Sequence, residues 1–265
     1  TLDASLDRLA IQQEKDADLM GKIKGAMIYP IIVLLVMGGV VGFMLVKVLP
    51  QVQTLYTEIP GANLPLITRI LLDVSNFIIS KWWVVLILLG LVVFFSTRWA
   101  RTVTGKSIFD SMKMHAWPIG GLFMKMYMAR FARTGTTLVS SGVPLIQMLD
   151  ITGRAVDNVH IQDSIKKATE KVKGGKSLAD ALQGDPNFLV LVPNMLKIGE
   201  QSGALEQMLG KTAEYYEKEV DNEVKSISTI IEPVLMVVLG IVAFIIVAAV
   251  LLPIYNLASN AGSLG

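Results

Sequence analysis

Two stretches of the chain, residues 1–50 and 204–253, repeat one order of polar and apolar positions. In each, a charged segment with apolar residues at three- and four-residue spacing leads into about 20 apolar residues, enough to cross a hydrocarbon core of about 30 Å. A shift of 203 positions aligns the two copies without a gap. The pairs that coincide include Leu2 and Leu205, Leu6 and Leu209, Ala10 and Ala213, Glu14 and Glu217, Asp18 and Asp221, Pro30 and Pro233, and Pro50 and Pro253. The pattern predicts two copies of one membrane-tethered helical unit.

Three apolar runs predict three membrane spans, which divide the chain into seven segments. These are an amphipathic helix at 1–29, a first span at 30–50, an excursion with an interfacial helix at 51–81, a second span at 82–97, a helical domain at 98–232, a third span at 233–253 and a tail at 254–265. Pro30 suits the first turn of the first span, because a missing N–H has no cost there. We expect residues 77–79 to extend the second span at its start, and residues 59–61 to form a turn.

Basic residues near the span ends predict the orientation, because they accumulate on the cytoplasmic side of a membrane. Basic and acidic residues balance between positions 51 and 81, whereas one acidic residue, Asp110, accompanies four basic residues after the second span. The four are Arg98, Arg101, Lys106 and Lys113. The N-terminal helix and the domain at 98–232 are therefore predicted to be cytoplasmic, with the excursion and the C-terminal tail on the exterior side.

Residues 98–232 predict an all-α domain, because no run in it alternates strictly between apolar and polar positions. Turn and capping signals divide the domain into a bundle of six helices. The signals are a break at 117–121, a turn at 141–144, an Asn158 cap, a capping box at 177–180, a turn at 184–186, and Ser202 and Gly203 at the start of the last helix. An apolar stripe reaches Ile231 on that helix, so we expect the helix to continue into the third span.

Two features near the membrane are candidates for function. Gly38 and Gly42 form a Gly-x-x-x-Gly motif, which lets another helix approach closely, although glycine is also common in membrane helices for other reasons. Glu232 precedes Pro233 at the predicted membrane edge. The positive end of a helix dipole favours a carboxylate there, and the alternative is a functional acid inside the membrane.

Charged residues supply two further candidate surfaces. The acidic cluster on the last helix comprises Glu214, Glu217, Glu219, Asp221 and Glu223, and the basic set comprises Arg98, Arg101, Lys106, Lys113, Lys125, Arg130 and Arg133. We interpret the acidic cluster as a solvated face, with partner contact or weak cation binding as the alternatives. The basic set fits anionic lipid or an acidic protein equally well. Glu200 lies in a turn, either as a capping carboxylate or as a contact for a partner.

The composition excludes several kinds of site. The chain is 52% hydrophobic and 17% charged, against about 25% charged residues in soluble proteins. A net charge of +2 is too small to predict nucleic-acid binding. The absence of cysteine and the presence of two separate histidines leave no thiol, metal or Ser/His/Asp site to propose. The Gly-Lys-Ser sequences at 105–107 and 175–177 lack the earlier glycine of a phosphate loop, so we predict no catalytic or cofactor site.

Taken in order, these features resemble the inner-membrane platform proteins of type IV pili and type II secretion systems, the PilC/GspF family. The resemblance rests on residues 141–145, Asn158, residues 199–205, Tyr216 and Glu217, Glu232 and Pro233, Tyr29 and Pro30, Pro50, and residues 64–68. It implies two six-helix cytoplasmic domains, of which this sequence holds only the last helix of the first, at 1–29. The chain also lacks an initiator Met, so we expect a truncated N-terminus.

The resemblance implies a non-enzymatic platform that couples a cytoplasmic hexameric ATPase to insertion or extraction of pilin or pseudopilin subunits. The implied partners are that ATPase, the subunits, other inner-membrane assembly proteins, membrane lipid and a second copy of the chain. The candidate partner-binding residues are Arg130, Arg133, Glu200, Ser202, Gly203 and Glu217. A small membrane transporter or channel subunit is the alternative, but it needs polar or broken helices at mid-membrane. Lys47 is the single charged residue within the predicted spans, and it lies near one end.

Overall fold

The computed structural model of the protein describes residues 2–57 and 65–262, so the turn predicted at 59–61 lies outside the described residues. The elements are α1 (Leu2–Phe43), a π-helical turn (Met44–Val48), α2 (Leu49–Thr57), α3 (Leu66–Ser80), α4 (Trp82–Ala100), α5 (Val103–His115), α6 (Gly120–Ser140), α7 (Leu145–Ala155), α8 (Val159–Lys173), α9 (Leu178–Leu182), α10 (Leu191–Ser202) and α11 (Leu205–Gly262). Three helical stretches are long and apolar enough to cross a membrane, namely Ala17–Thr54, Trp83–Ala100 and Leu205–Pro253. The prediction of an all-α chain with three membrane helices is confirmed.

The two copies of the repeat form two helices that begin at equivalent positions, Leu2 of α1 and Leu205 of α11. Pro30 and Pro233 both lie inside these helices, so the prediction that Pro30 occupies a first turn is wrong. The explanation of Glu232 by a helix N-terminal dipole is wrong for the same reason, because α11 begins far upstream. In both copies the helix is continuous between its polar and apolar parts. Each helix therefore continues through its proline and forgoes one backbone hydrogen bond.

The chain forms two compact units, each made of two separate stretches of the sequence. Thr1–Ala26 and Arg98–Ser228 form one, called here the helical unit, and Met27–Thr97 and Thr229–Gly265 form the other, called here the membrane unit. Both α1 and α11 therefore contribute their first part to the helical unit and their second part to the membrane unit.

The helical unit is built around α6, whose buried side chains include Met128 and Phe131. The ring of Phe131 meets that of Phe188 edge to face, with the centroids 5.2 Å apart. Two of the predicted caps are present. The Asn158 carboxamide oxygen accepts from the backbone N–H groups of His160 and Ile161 at 3.0 and 3.2 Å, and the Ser177 hydroxyl accepts from Asp180 N at 3.1 Å. These side chains start α8 and α9 because they satisfy N–H groups that have no partner inside the helix.

The helical unit contains a further helix, α5, that precedes the six predicted from the turn signals. The Thr102 hydroxyl accepts from Gly105 N at 3.1 Å, and the ring of Trp99 lies 6.0 Å from that of Phe109, so α5 packs against the last turn of α4. On its other side, the buried carboxylate of Asp110 accepts from Val159 N at 3.1 Å. This helix therefore joins the end of α4 to the start of α8.

In the membrane unit, two small polar side chains of α3 are buried beside an apolar cluster of Leu49, Leu72 and Ala249, whereas many large apolar side chains are exposed. On α3, the buried hydroxyl of Thr68 donates to the carbonyl of Ala249 at 3.1 Å, and that of Ser75 donates to the carbonyl of Leu45 at 2.5 Å. The apolar residues Leu66, Ile70 and Phe77 of the same helix are exposed. This arrangement suits a lipid solvent, in which polar groups must find partners within the protein.

The expected extension of the second span by residues 77–79 is wrong. These residues lie in the last turn of α3, which ends at Ser80, and Lys81 separates α3 from α4. The two polar residues Ser80 and Lys81 mark this break in the sequence. The role of α3 as an interfacial helix stays a prediction.

Gly105 allows α5 to lie close to α4, because a Cβ added there would stand 1.9 Å from the carbonyl oxygen of Trp99. We expect Gly105→Ala to lower the free energy of unfolding by about 1–3 kcal/mol, since rigid backbone would have to move. The measurement is a urea titration of the detergent-solubilised chain, followed by far-UV circular dichroism.

Gly210→Ala is the matched control. The nearest atom to its added Cβ is a methyl group 3.7 Å away, and alanine is the better helix former by up to about 1 kcal/mol. We expect this variant to be as stable as the parent or more stable. Equal stability of Gly105→Ala and the parent would contradict the close packing of α5 on α4.

Candidate partner-binding surface

Two of the residues predicted to bind a partner bind each other. The Arg133 guanidinium of α6 donates from Nε and Nη2 to the two carboxylate oxygens of Glu217 on α11, at 2.7 and 2.8 Å. The side chains are only 20% and 15% exposed. Two parallel hydrogen bonds in a partly shielded site make a strong ion pair. Arg133 and Glu217 therefore hold α6 against α11 in this structure.

Lys125 makes a second connection between the same two helices. Its ammonium group donates to Glu219 at 3.0 Å and to Glu223 at 2.7 Å. Burial opposes its charge, but the hydrogen bonds with Glu223 and Glu219 outweigh this and raise the pKa of Lys125. The hydrogen bond that Lys125 donates to Glu219 lowers the pKa of the Glu219 carboxyl group.

The directions of these two pKa shifts define the pH range over which the Lys125 contacts stabilise the folded state. A raised lysine pKa stabilises the folded state below the unfolded pKa and loses that effect as the pH rises through the folded value. A lowered carboxyl pKa stabilises above the unfolded value and loses the effect as the pH falls through the folded one. The contacts therefore contribute fully between roughly pH 5 and pH 10.

A third connection, again an ion pair, joins the two copies of the repeat within the helical unit. Lys22 of α1 donates to Asp221 of α11 at 2.8 Å, and this hydrogen bond raises the pKa of Lys22. Asp18, the repeat equivalent of Asp221, lies 3.8 Å from the same ammonium group. Four of the five acidic-cluster residues thus form ion pairs with other helices, so the interpretation of those four as a solvated face is wrong.

A groove of about 700 Å³ lies beside the Arg133–Glu217 pair, between α6 and the start of α11. Arg133 and Gly203 are the two predicted residues that line it. Gly203 ends α10 with a φ of +67°, a conformation that L side chains rarely adopt. The exposed polar residues that line the groove on α11 are Glu206, Gln207, Lys211 and Glu214.

The structure places Glu200 and Ser202 away from this groove lining. The Glu200 carboxylate accepts from the backbone N–H groups of Leu178 and Ala179 at 2.6 and 3.1 Å, so it caps α9 as one of its two interpretations predicted. Ser202 is the last residue of α10 and donates to the carbonyl of Ile198 at 2.7 Å. The prediction that Ser202 starts the last helix is wrong, because the chain turns at Gly203 before α11 begins.

The remaining candidates lie at other places. Arg130 is half-buried on α6, about one turn before Arg133. In the membrane unit, a Cβ added to Gly38 or Gly42 would meet nothing within 4 Å, so no described helix uses their small size. Glu232 and Pro233 are exposed, and Pro30 is buried. Among the described residues, no cluster of three or more His, Cys, Asp or Glu side chains could hold a metal ion.

Sequence analysis missed the pairing between α6 and α11 and the groove beside it. The signal was present, since basic residues recur along α6 and acidic residues along α11. Spacing within one helix does not show which other helix it faces, so the partners became known only from the packing.

A double-mutant cycle tests whether the Arg133–Glu217 pair stabilises the helical unit. We expect Arg133→Gln and Glu217→Gln to show a coupling free energy of about 1–3 kcal/mol in urea unfolding, because the pair is bidentate and partly buried. The control cycle uses Lys173→Gln and Glu170→Gln, a pair more than half exposed, and should give at most about 0.5 kcal/mol. Additive effects at Arg133 and Glu217 would show that the pair contributes nothing specific.

The chain resembles proteins named for fibre assembly and secretion. A family model described as type II secretion system (T2SS), protein F, matches residues 1–50 and 131–253, and both segments end at the paired prolines of the repeat. The type IV pilus assembly protein PilC of Thermus thermophilus is 39% identical over 97% of this chain and 63% of its own length. PilC of Pseudomonas aeruginosa is 35% identical over 98% of this chain and 70% of its own length.

A secretion protein shows a similar match. The type II secretion system protein F of Xanthomonas campestris is 32% identical over 97% of this chain and 64% of its own length. The chain thus spans about two thirds of the length of these curated relatives. Because the family model covers more than half of the chain and several relatives exceed 30% identity, this membrane protein belongs to the type II secretion system protein F family.

Proposed function

We propose that this chain belongs to a non-enzymatic platform that couples a cytoplasmic hexameric ATPase to insertion or extraction of pilin or pseudopilin subunits. The relatives from T. thermophilus and P. aeruginosa are named for type IV pilus assembly, and the relative from X. campestris for type II secretion. One structural observation carries the proposal. A single helix, α11, runs from Leu205 in the helical unit to Gly262 in the membrane unit.

A continuous helix is suited to transmit movement because its backbone hydrogen bonds resist bending. The ion pairs of Lys125 and Arg133 fasten α6 to the first part of α11. A force applied to α6 would therefore reach α11 through charged contacts, and its apolar part would carry the movement into the bilayer. Pilin or pseudopilin subunits beside that part would then move into or out of the fibre.

The proposed location is the inner membrane, with the helical unit on the cytoplasmic side. Basic residues close to the end of α4 support this orientation. The excursion at 51–81 and the tail at 254–265 would then face the exterior, and the division of the chain into seven segments stays part of this proposal. We also propose self-association through Gly38 and Gly42, where an added Cβ would meet nothing within the described chain.

The groove between α6 and α11 is the proposed contact for the ATPase or another assembly protein. Arg133 and Glu217 already neutralise each other, so they position the groove rather than supply free charge. Lys211 and Glu214 are exposed in its lining and can meet a partner. Arg130 is proposed to contribute through α6, whereas Glu200, Ser202 and Gly203 fix the chain just before α11.

Insertions after Ser228 test the transmission of movement. We expect seven Gly and Ser residues to abolish fibre assembly or secretion in cells, because they replace a stiff helix with a flexible link. Membrane insertion and protein level should remain unchanged, as measured by fractionation and immunoblotting.

The control is an insertion of seven helix-forming residues at the same position. Seven residues add about two helical turns, so the stiffness and the faces of α11 are nearly kept. This variant should retain much more assembly than the flexible one. Normal assembly with the flexible insertion, or equal loss in both variants, would contradict the proposed coupling.

Charge reversal in the groove tests the partner contact. We expect the protein to capture the assembly ATPase from the same system, and Lys211→Glu to reduce that capture several-fold, because an exposed charge of the groove changes sign. Lys167→Glu, at an exposed position of α8, is the matched control and should capture normally. Failure of the unmodified protein to capture the ATPase would overturn the proposed partner, and equal capture by both variants would overturn the proposed groove.

A further inference from the structure

An exposed face of α5 carries apolar residues where the rest of the helical unit buries most of its own. Ile108 and Met112 lie one turn apart on this face and are 41% and 59% exposed. Trp117, just after the helix, is 85% exposed. Together these residues form what we call the α5 surface, with Arg101, Lys106 and Lys113. Side chains of this size are stabilised when an apolar phase covers them.

The exposed charge of the α5 surface is basic. Lys106 and Lys113 are exposed on α5, and the exposed Arg101 precedes the helix. The acidic residue of the segment, Asp110, is 1% exposed and accepts hydrogen bonds from Val159 N and Lys113. Lys106 pairs with Asp157, whose side chain is 71% exposed, and such a solvated pair is weak enough to exchange for another anion. Apolar residues bordered by lysines are typical of helices that lie on a membrane surface.

The local packing fixes α5 at the end of a membrane helix. The candidate span of α4 ends at Ala100, and α5 begins at Val103. The close approach of Gly105 to the carbonyl of Trp99 and the contact of the Trp99 and Phe109 rings prevent α5 from moving away from the last turn of α4. If α4 crosses a bilayer and leaves it at Ala100, the start of α5 lies near the lipid headgroups.

We propose that the α5 surface binds the anionic headgroups of the bilayer beside α4. Ile108, Met112 and Trp117 insert among the outer parts of the acyl chains, while Arg101, Lys106 and Lys113 contact lipid phosphates. An acidic protein would satisfy the three basic residues, but it would not account for three exposed apolar side chains beside the end of a span. This inference rests on α4 crossing a membrane and is independent of the proposed coupling to an ATPase.

The chain contains no cysteine, so single-cysteine variants can be labelled at one position. Met112→Cys and the control Ile198→Cys, an exposed site on α10, each receive an environment-sensitive fluorophore. The labelled chains are placed in vesicles of phosphatidylcholine alone or mixed with phosphatidylglycerol. We expect a nitroxide on the lipid to quench the label at 112 several-fold more than the label at 198, and aqueous iodide to show the opposite order.

A second comparison tests the role of the headgroup charge. Combining Arg101→Gln and Lys106→Gln should remove most of the additional lipid quenching that phosphatidylglycerol produces at position 112. Lys166→Gln with Lys167→Gln on α8 changes the net charge equally and should leave that quenching unchanged. Iodide quenching at 112 as strong as at 198 would overturn the proposal and leave the α5 surface open to a protein. Equal phosphatidylglycerol dependence in the two double variants would overturn the recognition of anionic lipid.

Discussion

The fold depends on one helix, α11, whose first part suits water and whose second part suits the interior of a lipid bilayer. The first part of α11 carries charged residues that pair with α1 and α6, and its second part carries large apolar residues that face outward. Inside a bilayer every backbone polar group needs a partner within the protein, so a spanning helix cannot end there without cost. A proline inside a helix costs about 3 kcal/mol or more, yet α11 passes through Pro233.

The repeat explains how the helical unit acquires its charged connections. Each copy supplies a helix with acidic residues at equivalent positions, and the two helices are joined where Lys22 of α1 meets Asp221 of α11. Lys125 and Arg133 of α6 complete the set from the other side. Many of the charged residues that the sequence offers as contacts for a partner therefore form ion pairs within the helical unit. Exposed charged residues remain in the groove beside Arg133 and on the α5 surface.

Local signals predicted much of the fold correctly. The three spans follow from apolar run length, and α8 and α9 begin at the predicted Asn158 and Ser177 caps. Asp110 and Glu200 add contacts to these two helix starts from other helices. Errors arose where tertiary packing overrides a local preference. Pro30 lies inside α1, and residues 77–79 belong to α3 rather than to the second span.

The candidate site was less predictable than the fold. The sequence identified Arg133, Glu217 and Glu200 as notable, but the contacts that define their roles come from other helices. The predicted basic set, to which Arg101, Lys106 and Lys113 belong, fits anionic lipid and an acidic protein equally well, because charge alone does not distinguish them. The exposure of Ile108, Met112 and Trp117 supplied the missing observation, and it depends on how α5 packs.

The continuity of α11 is the central claim, and a distance within that helix tests it most directly. Spin labels on Glu214→Cys and Val234→Cys, both exposed positions of a chain without cysteine, would be separated by about 30 Å along an unbroken helix at 1.5 Å per residue. Pulsed electron resonance on the reconstituted protein should give one narrow distribution centred near that distance. A broad distribution, or one centred well below it, would show that α11 is broken near Pro233 and would contradict the account.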